Sequence, residues 1–309
     1  MSEILDLSII IVSWNVENYL RKCLHSIFKN EKDLLFELIV IDNASYDNSV
    51  EMVRQEFPIV TVISNQDNRG FNPANNQGIK IAKGRNVLLL NPDTLILDNN
   101  LLKEMIRLLD ENIEIGAVGP KILSADKKTV QLACARTNTN LWTVLSDRMI
   151  EKQIYNSSWF RKKYYHTNRY VATLSGSCMM FKKEIVKKIG LMDEQFFMFL
   201  DDVDYCKRIR DAGWKVYYMA NLAIIHFGGE SSAQNLERAT IEIHRSLKRY
   251  FQKHFSMVVV LLLELIMCLK FSLRLLKLSV KCLSRGGRMD SLPKMRKILG
   301  LLVNVYIRD

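Results

Sequence analysis

The sequence predicts an α/β protein built around a mostly parallel sheet, and two observations support this prediction. Short apolar runs alternate through the N-terminal half with segments whose apolar residues recur at helical spacing. The runs are apolar throughout, which is typical of strands that are covered on both faces of a sheet. Strand–helix–strand alternation of this kind gives a parallel sheet flanked by helices.

Four strands are predicted in this half, and each is followed along the chain by a predicted helix. The strands are LSIIIVSWN, FELIVIDNAS, TVISN and VLLLNPDT, and helices are predicted over ENYLRKCLHSIFKN, through Val50 to Val53, over NPANNQGIKIAKG and from Leu101 to Leu109. Further on, GAVGPKIL and the start of TLSGSCMMFKKEIVKKIG are predicted strands. The residues from about 134 to 170 lack periodicity and predict a long loop or lid with a short helix.

Three of the predicted strands end in polar residues at what should be the same edge of the sheet. These endings are Ser13-Trp14-Asn15, Asp42-Asn43-Ala44-Ser45 and Asn91-Pro92-Asp93-Thr94. Turn formation would explain any one of them. Three together predict a binding site, because open α/β sheets bind ligands outside the carboxyl ends of their strands. No G-x-G-x-x-G follows the first strand and no G-K-[ST] occurs, which disfavours dinucleotide-dependent dehydrogenases and P-loop NTPases.

A second concentration of chemistry lies in FLDDVDYCKR, where three acids begin a predicted helix. Capping and the helix macrodipole would explain one acid in a first turn. They do not explain why Asp201, Asp202 and Asp204 follow directly on the apolar FFMFL. Adjacent carboxylates repel, so at least one is expected to have a raised pKa or to lie in a solvated cleft, and either suits a general base.

His226 follows the apolar AII and therefore ends another predicted strand. A lone histidine is more often a structural hydrogen-bonding residue than a ligand. Together with Asp93, however, it could hold Mg²⁺ or Mn²⁺ at the sheet edge, with a diphosphate supplying the remaining ligands.

From about Ser8 to Gly229 the sequence resembles the family 2 glycosyltransferases of the GT-A fold, and bacterial rhamnosyltransferases in particular. The resemblance lies in eight ordered blocks: SIIIVSWN, LRKCLHSI, ELIVIDNASYDNS, NRGFNPANNQG, LLLNPDT, SGSCMMFKKE, GLMDEQFFMFLDDVDYCKRIRDAGW and HFGG. Each block alone is weak, but eight in the right order and spacing are highly specific.

The resemblance implies a role for each candidate residue. NPDT stands where the family has its metal-binding D-x-D motif, so Asp93 and His226 would bind a divalent metal, and Asn91 would contact the ribose or the metal shell. The nucleotide would be bound by Ser13, Asn15, Asp42, Arg69 and Asn72. Asp202 would be the general base. Asp201 stands where the family has glutamate, and Asp201 and Asp204 would give electrostatic or acceptor-binding support.

The implied reaction is a single inverting displacement, in which Asp202 deprotonates an acceptor hydroxyl and a metal stabilises the leaving diphosphate. By resemblance the donor is expected to be dTDP-L-rhamnose and the acceptor a polyprenyl-diphosphate-linked saccharide in cell-surface polysaccharide synthesis. A UDP-hexose donor is one alternative. Another is a non-catalytic scaffold that binds a nucleotide sugar. A nucleotidyltransferase is disfavoured because SWNVENYL is not a glycine- and arginine-rich phosphate loop.

The composition of the 309-residue chain fits this class of protein. Six scattered cysteines without a C-x-x-C pair predict reduced, mostly buried thiols. The first apolar run is too short, and too acidic at its start, for a signal peptide. The net charge is +11, and residues 270–309 hold ten basic residues against two acidic ones.

This basic tail needs its own explanation. Ser256 to Leu269 is about 14 residues long and includes Glu264, whereas a membrane span needs about 20 apolar residues. Lys270, Arg274, Lys277 and Lys281 then recur at steps of four, three and four, with Phe271, Leu275, Leu278 and Leu283 available to the other faces, and KMRKILGLLVNVYI repeats the theme.

This pattern is typical of a basic amphipathic helix in a membrane interface. An ordinary helix packed on the catalytic domain is the alternative, and nucleic acid is disfavoured because no reader motif is present. We therefore expect residues 1–250 to form the catalytic domain, and residues 251–309 to form a tail that attaches to the cytoplasmic face of the inner membrane.

Overall fold

The computed structural model describes residues 5–31, 34–136, 139–141, 164–228 and 236–284, together with residues 300 and 305. Most of the predicted loop or lid at 134–170, nearly all of KMRKILGLLVNVYI and the last glycine of HFGG lie outside these residues. Of the six cysteines, the five whose side chains the structure describes are free thiols, and four of these are buried, in agreement with the sequence prediction.

A large mixed sheet forms the centre of the protein, and a two-stranded sheet lies apart from it. The strands are β1 (Leu7–Ser13), β2 (Phe36–Asp42), β3 (Thr61–Ser64), β4 (Asn86–Leu90), β5 (Thr94–Ile96), β6 (Ile115–Leu123), β7 (Ala135–Arg136), β8 (Arg169–Tyr170), β9 (Thr173–Leu174), β10 (Cys178–Lys182) and β11 (Lys215–His226). The large sheet has the order β3-β2-β1-β4-β10-β6-β11-β5, with β8 paired to β11, and β7 pairs with β9.

The first four strands are parallel, as the sequence predicts. β6 and β11 share their direction, whereas β10 runs antiparallel between β4 and β6. β5 and β8 pair antiparallel with β11. The alternating pattern does not reveal this reversal, because an antiparallel neighbour needs no crossover helix to mark it.

Eight α-helices that lie within the described residues cover the sheet and continue beyond it, and Leu132–Cys134 form a short 3-10 helix. The α-helices are α1 (Glu17–Asn30), α2 (Ser49–Glu56), α3 (Phe71–Ile81), α4 (Leu101–Glu111), α5 (Lys183–Ile189), α6 (Asp201–Asp211), α7 (Leu236–His254) and α8 (Met257–Ser284). In α1 the buried residues Leu20, Cys23, Leu24 and Ile27 recur at helical spacing and face the sheet. β1 and β4 are buried along their whole length, so the core lies on both faces of the central strands.

α7 and α8 form a helical hairpin with its own apolar cluster, which also includes parts of the catalytic region. This second cluster consists of Phe196, Val203, Tyr250, Phe251, Val260, Leu263, Met267, Phe271 and Val305. Val203 belongs to α6, the helix that begins with the three acids. The predicted domain boundary at 250/251 falls inside α7. This one helix therefore contains residues of both the predicted catalytic domain and the predicted tail.

The apolar and basic segments of the tail form one continuous helix, α8, because no glycine or proline interrupts it. Four residues of α8 belong to the second cluster: Val260, Leu263, Met267 and Phe271. Phe271 is therefore packed inside the protein, whereas the sequence prediction left it available to a face of the helix that contacts the membrane. No helix in the described residues is both long and apolar enough to cross a membrane.

Candidate active site

The carboxyl ends of β1, β2 and β4 meet at one edge of the sheet, as predicted. Ser13 and Asp42 end β1 and β2 and lie opposite each other in the strand register. Asn91 follows β4 directly. β11 brings its last residue, His226, to the same edge opposite Thr94.

Four buried side-chain atoms at or near this edge have no hydrogen-bond partner among the described residues. They are Ser13 Oγ, Asp42 Oδ1, Asn72 Oδ1 and Asn91 Oδ1. Buried polar atoms in proteins are nearly always paired, because an unpaired one keeps its full desolvation cost. A cluster of such atoms on residues predicted to bind a nucleotide is consistent with a pocket completed by the polar atoms of a ligand.

Asn15 locks the turn that follows β2. Its backbone N–H donates to Ser45 Oγ at 2.9 Å, and its Oδ1 accepts from the Tyr46 N–H at 2.7 Å. Ser45 in turn donates its N–H to Asp42 Oδ2 at 3.1 Å. Asn15 and Ala44 both have left-handed backbone angles, with φ of 54° and 64°. Such angles are uncommon outside glycine and occur often at functional sites.

Asp93, Asn91 and His226 converge on a single point. Asp93 Oδ1 lies 3.2 Å from His226 Nε2, and Asn91 Nδ2 lies 3.3 Å from the same nitrogen. Asp93 Oδ2 accepts from the Gly228 N–H at 3.1 Å. Residues that are far apart in the sequence therefore meet as the sequence prediction of a metal site requires.

Gln131 fixes the orientation of His226. Its Nε2 donates to the His226 carbonyl at 2.7 Å, and its Oε1 lies 2.9 Å from Nδ1 of the ring. Because Oε1 can only accept, Nδ1 carries the hydrogen, and in the neutral imidazole the lone pair of Nε2 points towards Asp93 and Asn91. A histidine ligand held through its other nitrogen is the usual arrangement in metal sites.

The donor atoms at this point fit a divalent cation. Mg²⁺ and Mn²⁺ accept carboxylate oxygen and imidazole nitrogen, and such ions often take their other ligands from substrate phosphates. Among the described residues there is no group of three or more acidic, histidine or cysteine ligands.

The structure places Arg69 and Asn72 differently from each other. Arg69 lies on the surface, with its Nε 3.3 Å from an Asp67 carboxylate oxygen. Asn72 is fully buried at the start of α3, and its Nδ2 donates to the Asp193 carbonyl at 2.8 Å. Part of the Asn72 amide therefore joins two segments of the protein, and its Oδ1 remains unpaired.

A close contact at Gly70 holds the segment before α6 against α3. Gly70 has φ of 91°, and a Cβ added there would lie 2.8 Å from the Phe197 carbonyl oxygen. The Phe71 N–H donates to that carbonyl at 2.8 Å. Only glycine meets both the backbone angle and the close approach, so packing explains the glycine of NRGF.

The predicted general base lies at the start of α6 in an apolar setting. Asp201 and Asp202 are each 7 % exposed. The two residues before them, Phe199 and Leu200, have left-handed backbone angles, with φ of 68° and 53°. Consecutive left-handed residues that are not glycine are costly. The helix begins directly after this turn, so both carboxylates lie side by side at its first two positions.

The two carboxylates have different surroundings. Asp202 accepts hydrogen bonds from the Val203 N–H at 2.8 Å and the Gly176 N–H at 3.2 Å, and it forms an ion pair with Arg136 at 3.4 Å. Burial, together with the neighbouring Asp202 charge, raises the pKa of Asp201 to about 7. The pair therefore combines a carboxylate held by donors with a carboxyl group that binds a proton near neutral pH.

Asp204 belongs to a network of ion pairs that we call the Asp204 clamp, formed by Asp204, Arg208, Lys253 and His254. The Asp204 carboxylate is 1 % exposed and lies 2.9 Å from Arg208 Nε, 2.9 Å from Lys253 Nζ and 2.7 Å from His254 Nε2. Burial alone would raise its pKa, but hydrogen bonds from His254 and Lys253 and the charge of Arg208 leave it lowered. These contacts join α6 to α7 and favour a structural role over the predicted contact with the acceptor.

Two adjacent residues connect the metal-binding side of the site with the carboxylate side. Gly176 donates its N–H to Asp202, and the Ser177 carbonyl accepts from the Asn91 N–H at 3.0 Å. The candidate metal ligands and the candidate base therefore lie on either side of one short segment.

Sequence reasoning missed Gln131, Arg136, Lys253 and His254. The first two lie near the start of the aperiodic stretch and match no motif. The other two end a helix, where basic residues are common because they complement the helix dipole. Nothing in the local sequence distinguishes these four residues from ordinary polar surface residues.

This fold is the GT-A fold of glycosyltransferases. A mannosyltransferase from Pyrobaculum calidifontis, solved with GDP-Man and Mn²⁺, superposes with a TM-score of 0.59 at 15 % identity, covering 100 % of this chain and 89 % of that one. The structure of GalNAc-T7 with UDP, GalNAc and Mn²⁺ superposes with a TM-score of 0.55 at 17 % identity, covering 72 % of this chain and 43 % of that one.

The chain belongs to the family described as Glycosyltransferase like family 2, which matches residues 6–245. The protein is therefore a family 2 glycosyltransferase, as the eight sequence blocks predict.

Curated relatives include enzymes that transfer hexoses and rhamnose. A low-salt glycan biosynthesis hexosyltransferase of Haloferax volcanii is 25 % identical over 66 % of this chain and 62 % of its own length. An N-acetylglucosaminyl-diphospho-decaprenol L-rhamnosyltransferase of Mycobacterium tuberculosis is 22 % identical over 68 % of this chain and 72 % of its own length. Rhamnosyltransferase WbbL of Escherichia coli is 23 % identical over 79 % of this chain and 92 % of its own length.

Proposed function

We propose that this enzyme transfers L-rhamnose from dTDP-L-rhamnose to a hydroxyl group of a lipid-linked saccharide, with inversion at the anomeric carbon. Two of the relatives are rhamnosyltransferases, and the name of one of them includes a diphospho-decaprenol. These names support the donor and the acceptor. The product would belong to a cell-surface polysaccharide that is assembled at the cytoplasmic face of the membrane, where the enzyme attaches peripherally.

The cluster of unpaired polar atoms at the sheet edge is the observation that supports a nucleotide-sugar donor. Ser13 Oγ and Asp42 Oδ1 lie at neighbouring strand ends, and Asn91 Oδ1 lies beside the Asp93–His226 pair. In our proposal the first two atoms bind the base and ribose, while Asn91 and the candidate ligands face the diphosphate. The donor would thus span the edge from β2 to β4.

Asp93 and His226 would hold a divalent cation, with Gln131 fixing the histidine. Such a cation supplies positive charge that stabilises the leaving diphosphate. The protein's own contribution is to present one carboxylate oxygen and one oriented imidazole nitrogen, and to leave room for phosphate oxygens.

Asp202 would accept the proton of the acceptor hydroxyl as the oxygen attacks the anomeric carbon. Hydrogen bonds from Gly176 and Val203 fix the direction of its carboxylate, and Arg136 balances its charge. Asp201 lies close by with its pKa raised to about 7, and we assign the base to Asp202 because two backbone N–H groups hold its carboxylate in one direction.

Calorimetric titration of the purified protein with dTDP-L-rhamnose and a panel of UDP-sugars, with and without Mn²⁺, tests this proposal. Metal-dependent binding of dTDP-L-rhamnose alone is the expected result. Preference for a UDP-hexose would keep the reaction and change the donor. If no donor binds in the presence of metal, the proposal is wrong.

Two alanine variants make the titration specific to the site. His226→Ala should remove the effect of Mn²⁺ on donor binding. His25→Ala is the matched control, because His25 is an exposed histidine on α1, and it should bind the donor as the unmodified protein does.

A further inference from the structure

The long helix α8 has a second apolar face, which the rest of the described protein leaves uncovered. We call it the outer face. Its residues are between 43 % and 66 % exposed, and they are Val258, Leu261, Leu262, Leu265, Leu269, Leu273, Leu276 and Val280. At 3.6 residues per turn they span an arc of about 120° and a length of about 33 Å.

The outer face is not a by-product of poor packing, because the opposite side of the same helix is well packed. Val260, Leu263, Met267 and Phe271 are at most 6 % exposed and belong to the second cluster. α8 is therefore apolar on two opposed sides, and the described residues of the chain pack against only one of them. Contiguous exposed apolar surfaces of this size mark a place where something else binds.

The charges beside the outer face indicate what binds there. At 100° per residue, Lys270 and Lys277 fall between the packed side and the outer face, whereas Arg274 is in line with the packed side about one turn beyond Phe271. Arg274 and Lys277 are exposed. Glu264 is the single acidic residue of α8. Cations along the margin of an apolar stripe suit a surface that is apolar inside and negatively charged outside.

We propose that the outer face of α8 lies in the interface of an anionic membrane, with its leucine and valine side chains among the lipid chains and Lys270, Arg274 and Lys277 at the phosphate level. This inference refines the proposed function, since it identifies the surface that brings the enzyme to a lipid-linked acceptor. It keeps the membrane-interface helix expected from the sequence, and it places the outer face in the lipid and not Phe271, which belongs to the second cluster.

The position of α8 also fixes how the site is presented to the membrane. α8 packs on α7, and the Asp204 clamp joins the end of α7 to α6, which carries Asp201 and Asp202. The second cluster adds Val203 of α6 to the same unit. A membrane-bound α8 would therefore hold the carboxylates at a constant height above the lipid surface.

Vesicle co-sedimentation of the full chain, without nucleotide or acceptor, tests the proposal. The protein should bind vesicles of phosphatidylcholine with added phosphatidylglycerol more tightly than pure phosphatidylcholine vesicles, and salt should weaken the difference. Replacing Leu261, Leu265 and Leu269 together by glutamine should weaken binding to both kinds of vesicle by at least about tenfold.

Two controls match the changes in polarity and in charge. The double change Ile59→Gln and Ile113→Gln alters two residues that are 78 % and 86 % exposed elsewhere on the surface, and it should leave vesicle binding unchanged. Arg274→Gln with Lys277→Gln should reduce only the preference for anionic vesicles. Lys127→Gln with Lys128→Gln, on an exposed turn, should not.

Other occupants of the outer face give different results. If a second copy or another part of this chain covers it, the triple glutamine variant will change its mass in light scattering or lose thermal stability while vesicle binding stays the same. Either result would overturn the proposal. Sugar transfer to a water-soluble acceptor is measured separately, so a protein that binds vesicles without transferring sugar contradicts the proposed function alone.

Discussion

The two sides of the active site are held in different ways. On the donor side, neutral amides hold the turns: Asn43 Nδ2 donates to the Gly70 carbonyl at 3.0 Å, and Asn65 bonds to both Asn43 and Gln77 at 3.0 Å. On the carboxylate side, the corresponding role belongs to ion pairs, with Asp202 facing Arg136 and Asp204 enclosed by Arg208, Lys253 and His254.

This difference has a chemical reason and a measurable result. Neutral amide hydrogen bonds do not titrate, so the turns that these amides hold should keep their shape as the pH changes. Buried ion pairs change with protonation and cost much when one partner is lost. Changes on the carboxylate side should therefore alter rate, stability and pH dependence more than changes on the donor side.

The largest expected effect separates chemistry from donor binding. Asp202→Asn keeps the size of the side chain but cannot accept the acceptor proton, so kcat should fall by about 10²- to 10⁴-fold. Donor affinity, measured by calorimetry, should stay within about twofold of that of the unmodified protein, because residue 202 is on α6 and not among the candidate donor-binding residues at the sheet edge. Substantial residual activity in this variant would assign the base to Asp201.

Breaking the Asp204 clamp tests the carboxylate side for stability. Asp204→Asn should lower the free energy of unfolding by about 3 kcal/mol, because Arg208, Lys253 and His254 lose a buried charge partner. Asp211→Asn on the same helix is the matched control, since the Lys207–Asp211 pair is solvent-exposed, and it should cost at most about 0.5 kcal/mol.

The lowered pKa of Asp204 gives the pH dependence of this loss. The stabilising contribution is present above the ordinary aspartate pKa of about 3.9 and disappears as the pH falls below it. Thermal melts of the two proteins should therefore converge in acid. Melting curves that stay equally far apart at low pH would show that the clamp does not act through charge.

On the donor side, Gln131→Leu removes the group that orients His226. Mn²⁺ affinity in the presence of donor should fall by about 10- to 100-fold, while the fold stays intact. Gln55→Leu, at an exposed position on α2, serves as the control. Unchanged metal affinity in Gln131→Leu would remove His226 from the candidate site.

The smallest effect concerns Asp201, whose pKa in the folded protein is raised from the ordinary aspartate range to about 7 by burial and by the neighbouring Asp202 charge. A raised carboxyl pKa destabilises the folded protein as the pH rises through that window. Asp201→Asn should thus gain stability relative to the unmodified protein between pH 4 and pH 8, by on the order of 2 kcal/mol. Melting temperatures at both pH values measure it, and a constant difference between the two proteins would contradict the raised pKa.

Much of the fold and part of the site could be predicted because the signals are local. Apolar runs that stop at Ser13, Asp42 and Asn91 show both the strands and the edge where they end. The acids after FFMFL show the start of α6 in the same way. In each case, neighbours in the sequence are enough to make the pattern.

The rest depends on pairs that only the fold brings together. Gln131 and His226 are 95 residues apart, Arg136 and Asp202 are 66 apart, and Lys253 and Asp204 are 49 apart. The antiparallel direction of β10 is hidden for the same reason. No local pattern identifies which distant residue completes a ligand or neutralises a charge.

The turn at Phe199 and Leu200 limits how far the protein can be shortened. Each left-handed residue there costs about 1–2 kcal/mol, and Leu200 packs against the second cluster, which α7 and α8 largely form. A chain ending at residue 245 would contain every motif that the family shares, yet it would lack Lys253, His254 and most of this cluster. We expect the turn to relax in that shorter enzyme and the carboxylates to leave their positions, so a more soluble form is better sought by changing the outer face than by removing the helices.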